Sequence, residues 1–213
     1  FYHVHPERIT VINNPIDKSV IEQSIREKYR YDATDCVHYI AVGRICPQKD
    51  YRTLIKAFAL VLEKEPKSHL DIIGVDWDMA YRKSLDALIM QLDIGRSVTF
   101  HGFQENPFKY MEAADVFVLS SVHEGLPNVM LEAMYLGKPV VVTRSIPYIA
   151  QVVHDGVNGY AVSVDGCKEL AEAMIKARRL EIKEKYMDVN SNEKRIIDLF
   201  TEVLETSRKR FTI

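Results

Sequence analysis

No stretch of this chain stays apolar over the ~18 residues that a membrane-crossing helix needs, and its opening residues are not expected to be a signal peptide. Cysteine is scarce: Cys36, Cys46 and Cys167 are the only three in 213 residues. They stand far apart, with no C-x-x-C pair set beside histidines. That spacing supports neither a disulfide framework nor a zinc site, so a reducing cytoplasm is the expected compartment. An excess of one charge is missing as well. With 28 Lys and Arg against 30 Asp and Glu the formal charge is −2, so nucleic acid is not an expected partner. No G-x-G-x-x-G follows a strand-like run, which argues against a nicotinamide-dependent dehydrogenase.

What is present is ordinary for one globular core: 47% hydrophobic and 27% charged residues. Short β-rich runs at 9–12, 37–43, 69–74, 97–101, 115–120, 139–143 and 159–163 alternate with helical patterns. Several runs are apolar on both faces, as parallel strands covered by helices on both sides must be. In the helix expected over about 51–64, Leu54, Phe58, Val61 and Leu62 share a stripe. Leu85, Leu88, Ile89 and Leu92 repeat that spacing, as do Leu170, Met174 and Ala177. Such alternation predicts a doubly wound, mostly parallel α/β sheet with its ligand edge at the strands' C-terminal ends.

The two ends of the chain differ from this pattern. Phe1 stands in place of Met, and the opening FYHVHPERITVINNPID reads as strand then turn. Both predict a piece of a longer protein. Residues 1–17 are expected to be an interdomain strand and linker, and 18–190 the domain itself. Residues 191–213 are expected to form a helix with Ile196, Ile197, Phe200, Val203 and Leu204 on one face. Arg208, Lys209 and Arg210 read as its solvated end, with contact to an anionic membrane surface as the rival reading.

Two segments after strand-like runs carry chemistry. In VGRICPQKD, Gly43 permits close backbone approach while Arg44 and Lys49 offer charge-assisted hydrogen bonds suited to a diphosphate. The bland alternative is two exposed cations flanking a turn. In DVFVLSSVHEGLPNVMLEAMYLGKPVVVT, a loop holding His123, Glu124, Gly125, Leu126 and Pro127 precedes a helix expected from about Asn128 to Gly137. The start of that helix is an anion site in the making. Glu132, about one turn in, is placed to accept hydrogen bonds from a ribose diol, or merely to complement the helix dipole. Glu124 is either free to reach a sugar hydroxyl or simply solvated.

The pattern E-G-L-P-N-x-x-L-E-A-M-x-x-G-K-P-V-V, with Glu124 and Glu132 framing seven residues, resembles the E-x7-E signature of glycosyltransferase family 4. Val42-Gly43-Arg44 to Lys49 resembles that family's V-G-R-x(4)-K segment, and Ile12 to Asp17 its interdomain segment. Val98 to Phe103, Ala114-Asp115 and Asp155 to Tyr160 follow in the family's order. The resemblance implies the Rossmann-like C-terminal half of a two-domain GT-B enzyme that retains anomeric configuration and generally needs no metal. It implies that Arg44 and Lys49 hold the diphosphate of a UDP- or GDP-sugar donor and that Glu132 holds the ribose. Glu124, with backbone N–H groups along Gly125, Leu126, Pro127 and Asn128, would address the donor sugar and distal phosphate, and Gly102 and Phe103 the base. The acceptor, a glycan or lipid-linked sugar, would be held by an N-terminal domain. Peripheral contact with the inner membrane face would belong to the intact enzyme.

The departures are as informative. The run after Gly74 is Val75-Asp76-Trp77, without the family's usual second glycine, so that loop is differently shaped or Trp77 packs. Asp50 replaces a common glycine. His101, His123 and His154 are read as solvated or structural. The rivals are a GT-B-type sugar-nucleotide epimerase and a non-catalytic or regulatory sugar-nucleotide-binding module. A glycosidase fits poorly, because along one helix the two glutamates would stand ~12 Å apart.

Overall fold

The structure, a computed structural model, describes residues 16–32, 35–182 and 201. The strand expected at 9–12 and nearly all of the C-terminal helix, with its basic cluster, lie outside the described residues. Six strands form one all-parallel sheet: β1 Val37–Val42, β2 Ser68–Ile73, β3 Val98–Gly102, β4 Val116–Leu119, β5 Val140–Thr143 and β6 Gly159–Val162. Their order is β3-β2-β1-β4-β5-β6, a doubly wound, Rossmann-like sheet as expected. Each expected strand from 37 onward is present, its ends shifted by one residue at most.

Alternation along each strand builds the two layers of core. Tyr39 and Ala41 of β1, Val116 and Val118 of β4 and Val141 of β5 point to one face. There they meet α2 (Tyr51–Lys64), α3 (Met79–Gln91) and α7 (Cys167–Ala177) through Leu54, Phe58, Val61, Leu85, Leu170 and Met174. Ile40, Phe117, Leu119, Val140 and Val142 point the other way. They are covered by α1 (Lys18–Ser24), α4 (Phe108–Ala113), α5 (Asn128–Tyr135) and α6 (Ile149–Val152). Strands apolar on both faces are what this double cover requires.

Local chemistry sets the helix starts. Asp17 accepts from the Val20 N–H at 3.1 Å, Asp78 from the Tyr81 N–H at 2.9 Å and Asp50 from the Thr53 N–H at 3.2 Å. Asp50 adopts φ 45°, in the left-handed region. The glycine common in the resembled family would enter that region at no steric cost. Aspartate tolerates it and adds the cap.

A buried polar cluster links β1, β2 and β3. Asp71 of β2 accepts from His38 Nδ1 at 3.0 Å and from His101 Nε2 at 2.7 Å, and Tyr31 stacks on the His38 ring. Burial alone would raise the Asp71 carboxyl, yet the two histidine hydrogen bonds outweigh it and hold the group below the usual carboxylate value. His101 is thus a structural residue.

The turns after β1 and β2 touch backbone to backbone. A Cβ on Gly74 would lie 1.9 Å from the Gly43 carbonyl oxygen, and the Ile45 N–H donates to the Val75 carbonyl at 2.9 Å. Gly74→Ala is therefore expected to destabilise the chain by about 3 kcal/mol, the range of a forced overpacking, measured by denaturant unfolding. A loss under 0.5 kcal/mol would show that the two turns are free to separate.

Candidate functional site

Strand order reverses between β1 and β4, so the loops leaving their C-terminal ends diverge around a crevice. These loops are stitched together. Ser120 Oγ donates to the Lys49 carbonyl at 2.7 Å, the Val122 N–H to the Gln48 carbonyl at 2.9 Å, and Gln48 Nε2 to the His123 carbonyl at 2.9 Å. Among these contacts Lys49 Nζ meets Glu124 Oε1 at 2.6 Å, with side chains only 13% and 9% exposed. Ser121 Oγ donates to the same oxygen at 2.6 Å, and Thr143 of β5 secures the Ser121 carbonyl at 2.6 Å.

Glu124 is therefore neither solvated nor free, as the sequence had it. A carboxylate this far out of water is tolerable only beside a positive partner, and Lys49 is that partner. Both bonds fall on Oε1, which leaves Oε2 unengaged by them. Ser121 and Gln48 were missed from the sequence. The signal available was a pair of serines directly after an apolar strand, at the edge where ligands bind.

Arg44 follows Gly43, whose carbonyl accepts from the Tyr51 hydroxyl at 2.9 Å. Its guanidinium is exposed, has no carboxylate partner among the described residues, and lies 5.0 Å from the Trp77 ring centroid. Trp77 is 66% exposed, so the alternative that it packs into the core does not hold. Gly102, at φ 67°, ends β3, and Phe103 beyond it is 71% exposed. They share the sheet edge with Arg44 but stand two strands away from β1, roughly 10 Å.

Helix α5 starts at Asn128 and stops before Gly137, which takes the left-handed conformation at φ 75°. Pro127 occupies the N-cap and no side chain caps the helix. The donors here differ from the sequence expectation. Proline has no N–H, and the Asn128 N–H is spent on the Leu126 carbonyl at 2.9 Å. The N–H groups of Gly125 and Leu126 donate to nothing among the described residues. Asn128 Oδ1 is buried without a partner among them. One turn on, Glu132 is half-buried, and burial pushes its carboxyl above the usual value. No described group pairs with it.

Two outcomes are expected. Lys49→Met strands a buried carboxylate and should cost about 3 kcal/mol in chemical denaturation, most of it recovered when Glu124→Gln is added. Full additivity of the two substitutions would show the pair to be uncoupled. The second concerns pH. A carboxyl raised on folding contributes stability in full only below its unfolded value, near 4.5, and loses that contribution as pH rises through its folded value. Glu132→Gln should therefore raise Tm at pH 7, with the gain shrinking below about pH 4.5. A lower Tm at pH 7 would mean that the ionised carboxylate is satisfied in the fold.

Comparison with known proteins gives this arrangement a family. An uncharacterized glycosyltransferase of Methanocaldococcus jannaschii is 37% identical over 130 residues, which are 60% of this chain and 31% of the relative. The Campylobacter jejuni N-acetylgalactosamine-N,N'-diacetylbacillosaminyl-diphospho-undecaprenol 4-alpha-N-acetylgalactosaminyltransferase is 29% identical over 164 residues, 77% of this chain and 42% of that enzyme. The chain thus spans less than half the length of these two relatives. The crystal structure of HepE from Anabaena in complex with UDP-glucose superimposes with a TM-score of 0.75, covering 94% of this chain and 59% of that one. At 24% identity that likeness concerns the fold. The family model for glycosyl transferases group 1 matches residues 22–195, and with that match, across the whole sheet and both charged loops, the chain belongs to the glycosyl transferases group 1.

Proposed function

We propose that this chain is the donor-binding half of a retaining hexosyltransferase that takes a UDP- or GDP-sugar. The acceptor would be a glycan or a lipid-linked sugar, held by a second domain. The observation that carries the reading is the state of Glu132: a half-buried carboxyl, raised by burial and left without a partner among the described residues. It lies one turn into a helix whose start shares the sheet edge with two cations. A ribose diol supplies the two donors that such a carboxylate lacks. The diphosphate would then lie against Arg44, Lys49 and the open N–H groups of Gly125 and Leu126.

The same placement suggests how the reaction is helped. As the bond from the sugar to the diphosphate breaks, negative charge grows on the departing oxygen. Fixed cations and backbone N–H groups at that point stabilise it without reorganising. Glu124, anchored through Oε1, has Oε2 available for a sugar hydroxyl and would fix the hexose in register. Asn128 Oδ1, buried and without a partner among the described residues, would accept from a ligand hydroxyl or amide. The resembled family carries out this chemistry without a metal, and the reading adopts that. The name of the Campylobacter relative, which specifies transfer onto a diphospho-undecaprenol-linked sugar, supports the acceptor class.

Calorimetry on parent, Arg44→Ala and Glu132→Gln tests the reading with UDP, GDP and inorganic pyrophosphate. Arg44→Ala is expected to weaken the nucleoside diphosphate about tenfold, the loss of one charge-assisted contact. Glu132→Gln should weaken UDP or GDP far more than pyrophosphate. Unchanged affinity in Arg44→Ala, or equal losses for both ligands in Glu132→Gln, would refute the assignment.

A further inference from the structure

The two cations of the site are held in opposite ways, and that contrast carries an inference that rests on the reading above. Lys49 is nearly buried and neutralised by Glu124 at 2.6 Å. Arg44 is exposed and has no carboxylate partner among the described residues, although Asp76 lies in the neighbouring turn. Asp76 is instead drawn to Arg82, at 3.4 Å. What supports Arg44 is the face of Trp77, 5.0 Å from its guanidinium carbon.

We infer that Trp77 is a positioning residue for Arg44, an aromatic rest that holds the guanidinium ready for the donor diphosphate without consuming its charge or its hydrogen-bond donors. Three observations point the same way. First, Trp77 is held from below. The Ile45 N–H donates to the Val75 carbonyl at 2.9 Å, and the Asp78 N–H donates to the Ile45 carbonyl at 3.2 Å. Asp78 then caps α3, so the turn bearing Trp77 is fixed to the segment bearing Arg44. Second, the indole is 66% exposed, so burial of apolar area does not account for a ring of this size here. Third, this turn is where the sequence departs from the resembled family, running Val75-Asp76-Trp77 without the second glycine common there.

The physical advantage lies in what each kind of partner takes from the cation. A carboxylate would occupy the N–H edges of the guanidinium and would have to be displaced by the incoming phosphate. An aromatic face attracts the cation through its quadrupole and leaves those in-plane donors available. It also limits the rotamers of a long side chain that would otherwise lose that freedom on binding. The expected effect is modest, because an exposed cation–π contact corresponds to about two- to fivefold in affinity.

The chain contains one tryptophan, so its fluorescence reports on this ring alone. In the ligand-free parent chain, Arg44→Ala should change the emission of Trp77. Unchanged emission and acrylamide quenching would mean that the contact is not made in solution, and would overturn the inference without any ligand. Calorimetry with UDP and inorganic pyrophosphate then separates the remaining outcomes. Trp77→Ala should weaken both ligands by the same two- to fivefold, Trp77→Phe should restore most of the loss, and Trp77→Ala should have no further effect in an Arg44→Ala background. A loss confined to UDP would make Trp77 a surface for the base and not a rest for the arginine, which also overturns it. An equal effect of Trp77→Ala with and without Arg44 would do the same. If Arg44→Ala itself leaves both affinities unchanged, the diphosphate assignment of Arg44 fails first, a result distinct from any of these.

Discussion

Everything at the candidate site depends on a desolvated ion pair between two loops that are far apart in sequence. Lys49 and Glu124 are separated by 75 positions and meet at 2.6 Å with little water around them. A lone charge in that place would cost several kcal/mol, so the two loops hold one another by electrostatic necessity. The neutral bonds through Ser120, Gln48 and Val122 set the register of the approach. The pair can form because β1 and β4 are neighbours at the point where strand order reverses. Had the sheet followed sequence order, the loops after β1 and β4 would leave strands three places apart.

Around this pair the charges are distributed unequally. One cation is neutralised and nearly buried, another is exposed and rests on an indole, and one carboxyl sits half-buried with no partner among the described residues. The contrast with the His38–Asp71–His101 cluster is instructive. There each carboxylate oxygen has its donor, and burial is more than offset by hydrogen bonding, so the group is comfortable where it is. At Glu132 burial acts alone. The fold satisfies the first buried carboxylate fully and gives the second no donor among the described residues, and the proposed ribose contact at Glu132 is built on that difference.

Much of the fold was legible from residue pattern. Runs such as VFVL and VVVT are apolar on both faces because helices cover both sides of the sheet, and that signal is strictly local. Helix limits were legible from Pro127 and Gly137 for the same reason: φ preferences and missing N–H groups act within a turn. The E-x7-E spacing and the Gly43-Arg44 to Lys49 run pointed to the sheet edge as the place to look. They did not reveal that Glu124 would be bonded to Lys49, that the Asn128 N–H would be spent on its own loop, or that Trp77 would stand exposed beside Arg44.

The sequence by itself determined which segments are strands, which are helices, and which loops fall at the strands' C-terminal ends. Each of those follows from short-range periodicity and backbone preference. Only the tertiary structure decided which charges became partners and which stayed open. That choice is made by desolvation, and the water removed from Lys49, Glu124 and Glu132 depends on neighbours contributed by remote strands. No local pattern encodes it.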